Sequence, residues 1–246
     1  MEVLAERKTK TVYRENDKTI KLFVENYSKS NILNEALNQA RVEETGLNIP
    51  KLLEVKKIEN RWALVSEHIE GKSLEELMKE NPEKEEEYLN LFIDLQLEIL
   101  SKRSPMLNKL KDKMKRKIDE TDLNETIKFD LNTRLESMPK HACICHGDFD
   151  PSNVIINNSG VAYVIDWAHV TQGNNSADVA RTYLLFNLEG NRDRAERYLS
   201  KFSEKSKIEK QYIQKWIPIV AAAHLSKASE NEKAFLMNWI DVVDYN

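Results

Sequence analysis

The amino-acid sequence predicts an α+β protein of two lobes: a small, β-rich N-terminal lobe with one helix, and a larger, mainly helical C-terminal lobe. Short apolar segments separated by polar turns fill residues 1–70, as expected for strands. Most of the chain from residue 71 to residue 246 carries the apolar periodicity of helices instead. The exception is the stretch 142–166, which has the pattern of a short hairpin. We therefore place the lobe boundary near residue 70.

The N-terminal lobe is predicted to be a sheet. Strands at 12–14 and 19–24 flank a polar turn, as in a hairpin, and a further strand at 62–67 follows a second turn. A helix lies between these segments in the chain. Ser30 or Asn31 can cap its start, and Gly46 stands where a left-handed C-terminal residue is wanted. The predicted buried stripe of this helix comprises Ile32, Leu33, Ala36, Leu37 and Ala40.

The C-terminal lobe is predicted to begin with two helices between residues 74 and 100, followed by charged helices over 105–138. We interpret the basic residues of the second region as a solvated face, with nucleic-acid contact as a less favoured alternative. Cys143 and Cys145 lie two apart in a predicted strand, so they share a face and are expected to be buried, reduced thiols. The basic residues in question are Lys109, Lys111, Lys113, Lys115, Arg116 and Lys117.

The composition is that of an ordinary globular protein. The chain has 246 residues, 41% of them hydrophobic, which suffices for a core of normal size. Its net charge of -4 is unlike the basic excess of general nucleic-acid binders. No segment has the roughly 18 apolar residues that a membrane helix needs, and the first residues lack an apolar stretch of signal-peptide length. We expect a cytoplasmic protein that binds neither nucleic acid nor membrane.

One segment carries groups suited to phosphoryl transfer. It reads His146-Gly-Asp-Phe-Asp-Pro-Ser-Asn153, followed by a strand, a turn and a second strand that leads to Asp166. Because a hairpin returns both of its ends to one sheet edge, we expect Asp148, Asn153 and Asp166 to share one cleft. Asp148 suits the carboxylate that holds or deprotonates the attacking hydroxyl. Asn153 and Asp166 suit the oxygen ligands of Mg²⁺.

This segment resembles the aminoglycoside phosphotransferase and choline kinase family. The family has a protein-kinase-like fold, and its signature is His-Gly-Asp, four variable residues, Asn, a hairpin, and Ile-Asp-Trp or a close relative. The resemblance covers about residues 10–190 and is strongest over 146–181. It implies a Mg²⁺-dependent kinase that moves the γ-phosphate of ATP or GTP to a hydroxyl of a small molecule. Aminoglycosides, choline and amino sugars are among the acceptors that it suggests.

The resemblance also implies nucleotide-binding residues in the N-terminal lobe. Lys21 corresponds to the family's strand lysine, which contacts the phosphates, and Glu35 corresponds to the helix glutamate that pairs with it. The segment 65–71 resembles the hinge of the family, where main-chain groups around Glu67 and Ile69 would bond the adenine edge. ATP is expected between the two lobes.

The loop between the first two strands departs from the usual kinase pattern. Kinases often cover the phosphates with a loop that contains glycine, whereas the loop expected here at residues 5–10 has none. Phosphate contact would then use the backbone or side chains of that loop, and the choice between ATP and GTP stays open. Asp178 and Arg181 match a later family motif, and we expect them, like His146, to support the catalytic loop, because a buried charge needs a partner.

Other functions are weighed against this one. A protein Ser/Thr kinase would use the same lysine and carboxylates, but the His-Gly-Asp opening and the Ile-Asp-Trp motif argue against it. A catalytically degenerate pseudokinase that binds a nucleotide or a partner is supported by the glycine-free loop alone. A C-terminal aromatic and acidic surface could hold an amine, although a packed helix is the favoured interpretation. That surface would comprise Trp216, Trp239, Asp241, Asp244 and Tyr245.

Overall fold

The computed structural model describes residues 2–240. Its strands are β1 (Glu2–Arg7), β2 (Lys10–Glu15), β3 (Lys18–Phe23), β4 (Leu52–Ile58), β5 (Arg61–Glu67), β6 (Gly71–Ser73), β7 (Cys143–Cys145), β8 (Val154–Asn157), β9 (Ala162–Val164) and β10 (Thr171–Gly173). Its helices are α1 (Lys29–Glu43), α2 (Leu74–Glu80), α3 (Glu85–Ser101), α4 (Leu110–Asp119), α5 (Glu125–Ser137), α6 (Asn175–Leu188), α7 (Arg192–Ser206), α8 (Lys210–Gln214), α9 (Ile217–Leu225) and α10 (Glu230–Ile240).

Packing divides the chain into two compact units. The first runs to Tyr88 and also includes Pro151–His169. The second consists of Leu89–Asp150 and the described residues from Val170 onward. These units are defined by packing and not by a single point in the chain. The predicted lobe boundary near residue 70 therefore stays a prediction.

The first unit is built on a five-stranded antiparallel sheet with the strand order β1-β2-β3-β5-β4. The predicted hairpin is present as β2 and β3, which pair from Lys10 and Phe23 to Glu15 and Lys18. Glu59 and Asn60, between β4 and β5, both have positive φ (47° and 65°), as a tight hairpin turn with the twist of the strands requires. An antiparallel sheet of short strands is therefore what the turn residues specify.

Helix α1 packs on this sheet, but with a face that differs from the predicted one. Ile32 and Ala36 join a core cluster with Phe23 and Leu64. Leu33 and Leu37 are 43% and 47% exposed, so the prediction that they are buried is wrong. Polar residues take the inward positions instead: Glu35, Asn38 and Gln39. The N-cap position is Ser28, earlier than the predicted Ser30 or Asn31, and its side chain makes no capping hydrogen bond. Gly46 has the expected positive φ of 75°.

A second sheet of the first unit holds the hairpin that the sequence predicted. Its strand order is β6-β8-β9, and Val154 pairs with Val164 at the open end of the β8–β9 hairpin. Just beyond that pair, the Ile165 N–H donates to the Asn153 carbonyl at 2.9 Å. The backbone of Asn153, one predicted metal ligand, is therefore bonded directly to the residue before Asp166, the other predicted metal ligand.

The second unit is mainly helical. Helix α6 packs against α7, α8 and α9, and α9 in turn packs against α4, α5 and α10. Its core contains a set of fully buried aromatic side chains, and the rings of Phe92 and Phe149 stack with centroids 4.3 Å apart. Strands β7 and β10 pair beside α6, and both cysteines of β7 are buried free thiols, as predicted. Within residues 2–240, no helix combines the length and the apolar character needed to cross a membrane.

Gly71 tests the packing of the second sheet. A Cβ atom at this position would overlap the carbonyl oxygen of Ile156 on the neighbouring strand, and backbone cannot move aside as a flexible side chain can. We expect Gly71→Ala to lower the free energy of unfolding by about 1–3 kcal/mol, measured by urea denaturation. The control Lys72→Ala removes an exposed ion pair with Glu80 and should cost less than about 1 kcal/mol. Equal stability of both variants would contradict this account of β6.

Candidate active site

A cavity of about 400 Å³ lies in the first unit. This volume is within the range of small-molecule sites. The cavity wall combines apolar side chains with a few charged ones. It includes five of the residues predicted for nucleotide and metal binding, namely Lys21, Glu67, Ile69, Asn153 and Asp166.

Lys21 is held on β3 between two carboxylates. Its Nζ donates to Glu35 Oε1 of α1 at 2.9 Å and to Asp166 Oδ1 at 2.9 Å. Burial alone would lower the pKa of Lys21, but the charges of Asp166 and Glu35 raise it above its ordinary value. The Lys21 side chain is therefore a fixed ammonium ion at the cavity wall.

Asp166 is the most constrained residue of this group. Its φ is 62°, a left-handed conformation that is uncommon for a residue with a side chain and that concentrates at functional sites. Its Oδ2 also accepts from Lys10 Nζ at 3.4 Å. Burial alone would raise the pKa of Asp166, but the positive charges of Lys21 and Lys10 hold it far below its ordinary value. The carboxylate is thus ionised at neutral pH.

The hinge segment lines the same cavity. The Glu67 N–H donates to the Lys51 carbonyl at 2.9 Å, and the His68 N–H donates to the Asp17 carbonyl at 2.8 Å. Both bonds fix the path of the chain. Among the described residues, the Ile69 N–H donates to no backbone carbonyl, and Ile69 lines the cavity.

The expected phosphate loop at residues 5–10 is not a loop. Ala5, Glu6 and Arg7 belong to β1, where they pair with residues of β2, and the connection is the two-residue turn Lys8–Thr9. Neither Lys8 nor Thr9 has a positive φ, so this turn does not require glycine. Arg7 and Lys10 line the cavity. This segment therefore supplies cationic side chains, although it has no glycine-rich loop.

Asp148 belongs to the second unit, where it pairs with Arg181. The Nη2 atom of Arg181 donates to Asp148 Oδ1 at 3.2 Å. Arg181 was expected to be scaffold, together with Asp178, but its guanidinium contacts the predicted catalytic carboxylate directly. The expectation that Asp148 shares a cleft with Asn153 and Asp166 stays a prediction.

The loop around Asp148 is held by buried polar groups. Asp178 accepts from the Gly147 N–H at 2.7 Å and from Gln96 Nε2 at 3.3 Å. His146 is fully buried and accepts from the Asp148 N–H through Nδ1 at 3.2 Å. Asp178 and His146 thus have the geometry of supporting residues, since their bonds go to the backbone or to other buried groups.

Sequence patterns missed a set of cationic side chains in the second unit. Lys113 and Lys117 of α4 both interact electrostatically with Arg181 and with Lys227, and Lys117 also interacts with Asp148. We call Lys113, Lys117, Arg181 and Lys227 the basic cluster. Lys113 and Lys117 are partly buried, so the interpretation of every lysine of this region as solvated is wrong for these two. Each directly precedes a buried residue of α4, a position that places it at the edge of the core-facing stripe.

The cluster changes the ionisation of its members. Burial and then the charge of Lys117 lower the pKa of Lys113 to about 7. Burial and then the charge of Lys227 lower the pKa of Lys117 to about 8. Nearby, burial and Arg181 lower the pKa of His224 to about 4, so this imidazole is neutral at pH 7.

The less favoured alternative of an amine-binding surface at the C-terminus is not supported by its described members. Trp216 is fully buried, and the Trp239 ring packs edge-on against Tyr183. Asp241, Asp244 and Tyr245 lie outside the described residues.

Comparison with known proteins identifies the family. Residues 4–209 match the model of the phosphotransferase enzyme family, which is well over half of the chain. The chain belongs to this family. No curated protein sequence matches this phosphotransferase closely enough to count as a relative.

Solved structures show the fold of the phosphotransferase. A thermostable mutant of the aminoglycoside phosphotransferase APH(4)-Ia, in a ternary complex with AMP-PNP and hygromycin B, is similar with a TM-score of 0.71 at 14% identity, over 97% of this chain and 90% of that one. An aminoglycoside-3'-phosphotransferase of type VIII has a TM-score of 0.66 at 16% identity, over 90% and 91%. The choline kinase LicA from Streptococcus pneumoniae has a TM-score of 0.63 at 16% identity, over 98% and 94%. The predicted kinase-like fold is confirmed.

The donor chemistry of the cavity fits a magnesium ion. Mg²⁺ prefers carboxylate, amide and phosphate oxygens and retains several waters, so it needs few protein ligands. Asp166 supplies an ionised carboxylate and Asn153 supplies an amide, and both line the cavity. The two residues are joined through the backbone bond from Ile165 to Asn153, which fixes the ends of the hairpin relative to each other.

The burial and crowding of Lys113 and Lys117 predict a pH dependence of stability. An unfolded lysine keeps its ordinary pKa of 10.5, whereas folding lowers the pKa values of Lys113 and Lys117. The unfolded state therefore binds more protons between about pH 7 and pH 10. Over this window the free energy of unfolding should rise for the wild type relative to Lys113→Gln/Lys117→Gln, by at most about 1.4 kcal/mol per pH unit for each lysine.

Urea denaturation at pH 7, 8.5 and 10, at constant ionic strength, measures this difference. Lys115→Gln is the matched control, because Lys115 is exposed on the same helix. The difference in free energy of unfolding between the wild type and Lys115→Gln should not change over this pH range. A wild-type advantage that stays flat or falls as the pH rises would show that the cluster does not penalise the charged lysines.

Proposed function

We propose that this phosphotransferase moves the γ-phosphate of ATP, or of GTP, to a hydroxyl group of a small molecule with the assistance of Mg²⁺. The observation that carries the proposal is the Lys21 ammonium, fixed by Glu35 and Asp166 at the wall of a cavity of about 400 Å³. Burying a lysine and its two carboxylate partners carries a desolvation cost. Binding of a polyphosphate is a function that accounts for a lysine at this position.

The nucleotide is held by residues of the first unit. The Ile69 N–H and the main-chain groups around Glu67 bond the adenine edge. Lys21, positioned by Glu35, bonds the phosphates, and Lys10 adds a second cation beside Asp166. Because the lysine is fixed before the nucleotide arrives, little ordering is required of it on binding.

Asn153 and Asp166 would hold the magnesium ion. When bound, Mg²⁺ supplies charge neutralisation to the phosphate oxygens. The left-handed backbone conformation of Asp166 sets the direction in which the chain leaves the hairpin. It therefore also sets the position of the Asp166 carboxylate.

Asp148 orients the acceptor hydroxyl and accepts its proton. In the reaction the hydroxyl oxygen bonds to the γ-phosphorus, the bond from the γ-phosphorus to the bridging oxygen breaks, and the nucleoside diphosphate leaves with the electron pair. Arg181 fixes the orientation of the Asp148 carboxylate through the bond at 3.2 Å. Asp178 and His146 fix the backbone on either side of it.

The substitution Asp148→Asn tests this assignment. It preserves shape but removes the proton acceptor, and we expect turnover to fall by about 10²–10⁴-fold, the range for a lost general base. Nucleotide binding should persist, because the nucleotide contacts lie in the first unit. Acceptor-dependent diphosphate release measures turnover, and the Mg²⁺-dependent thermal shift with ATP or GTP measures binding.

Asp193→Asn is the matched control, because Asp193 is an exposed carboxylate that pairs with Arg197 four residues along its helix. Its turnover should equal that of the wild type. Unchanged turnover in Asp148→Asn would remove Asp148 from its role. Absence of a thermal shift with either nucleotide would favour a pseudokinase, and transfer to casein but to no small molecule would favour a protein kinase.

A further inference from the structure

The basic cluster lies beside the carboxylate that is proposed to receive the acceptor hydroxyl. Lys113 and Lys117 are four residues apart on α4 and therefore share one face of it. Arg181 lies on α6, and both α4 and α6 pack against α9, which ends two residues before Lys227. Arg181 is bonded to Asp148 at 3.2 Å, so the cluster extends from this carboxylate.

Several cationic side chains lie around Asp148. The cluster contributes four cationic groups from α4, α6 and the end of α9. Asp148 interacts with Lys117 and with His224, and Glu232 interacts with His224 and with Arg181. Glu232 is already engaged at the start of α10, where it accepts from the Ser229 N–H at 2.7 Å. Burial is the largest cause of the depressed pKa values of Lys113 and Lys117, and the like charges of neighbouring lysines and arginines add to it.

Arg181 retains a hydrogen-bond donor. Its Nη2 donates to Asp148, whereas its Nη1 is buried and has no hydrogen-bond partner. A buried guanidinium nitrogen without an acceptor is costly, and native proteins rarely leave one. An anionic ligand that reached the guanidinium after a small side-chain shift would satisfy it.

We propose that the acceptor is a hydroxylated compound that carries a phosphate or carboxylate group of its own, and that Lys113, Lys117 and Arg181 bind this group while Asp148 receives the hydroxyl. The proposal rests on the phosphotransferase function proposed above. An amine acceptor would add a positive charge beside lysines that Arg181 and Lys227 already repel, whereas an anion would relieve this repulsion. Among the acceptor classes suggested by family resemblance, the cationic ones are therefore disfavoured.

The first test measures anion binding separately from catalysis. The protein is saturated with Mg²⁺ and AMP-PNP, so that the nucleotide cavity is filled, and inorganic phosphate is added against chloride of equal ionic strength. We expect phosphate to raise the melting temperature of the wild type and of the control Lys115→Gln. This increment should be lost in Lys113→Gln/Lys117→Gln and retained in Lys113→Arg/Lys117→Arg, which keeps the charges. An increment of equal size in all four proteins, or in none, would overturn the proposal.

The second test uses acceptors in matched pairs. Ribose and ribose 5-phosphate, and glycerol and glycerate, differ within each pair by an anionic group, and kanamycin and choline represent the cationic class. We expect transfer to anionic members, with KM increased about tenfold or more in Lys117→Gln, as for the loss of a hydrogen bond to a charged group. Transfer to kanamycin or choline but to no anionic member would overturn the proposal.

The two tests separate the failure of this inference from the failure of the proposed function. If no compound is phosphorylated but the phosphate increment is present in the wild type and absent from Lys113→Gln/Lys117→Gln, the anion site stands and phosphoryl transfer is what failed. If transfer occurs but the phosphate increment does not depend on these lysines, the phosphotransferase function stands and the anion site is refuted.

Discussion

The first unit depends on a single ammonium group. Lys21 projects from the central strand β3, and its two partners come from α1 and from the end of the β8–β9 hairpin. One side chain therefore joins the five-stranded sheet, the helix that covers it, and the hairpin carrying the proposed metal ligands. Removing Lys21 would leave two partly buried carboxylates without this ammonium between them, which is more costly than never having buried them. We infer that nucleotide binding is what justifies this arrangement.

The demands of this ammonium group explain the unusual face of α1. A helix that covers a sheet ordinarily turns its leucines inward, yet Leu33 and Leu37 are exposed while Glu35 and Gln39 are buried. Glu35 is needed beside Lys21, and Gln39 donates to the Pro50 carbonyl at 2.7 Å. Rotating the helix to bury both leucines would withdraw these two bonds. Function has therefore overridden the simple apolar pattern, as is expected at a functional site.

Local chemistry made much of the fold predictable. The β2–β3 and β8–β9 hairpins, the positive φ of Gly46 and the family signature were all readable from turn residues and spacing. The face of α1 was not, because Glu35 and Gln39 are buried by partners distant in sequence. Arg181 was expected to support the catalytic loop, but its contact with Asp148 was not predicted, because the two residues are 33 positions apart. The solvated interpretation of Lys113 and Lys117 failed because charge patterning alone does not reveal which helix packs against α4.

The central claim is that the γ-phosphate is moved to a small molecule, and following that phosphate tests it most directly. ATP labelled at the γ-position would be incubated with the wild-type protein and Mg²⁺, in parallel with the small-molecule fraction and the protein fraction of a cell extract, and the labelled products separated by size. The account predicts label in a new small phosphate ester, dependent on the enzyme and on Mg²⁺. Label found exclusively in proteins, or release of inorganic phosphate alone in both fractions, would contradict it.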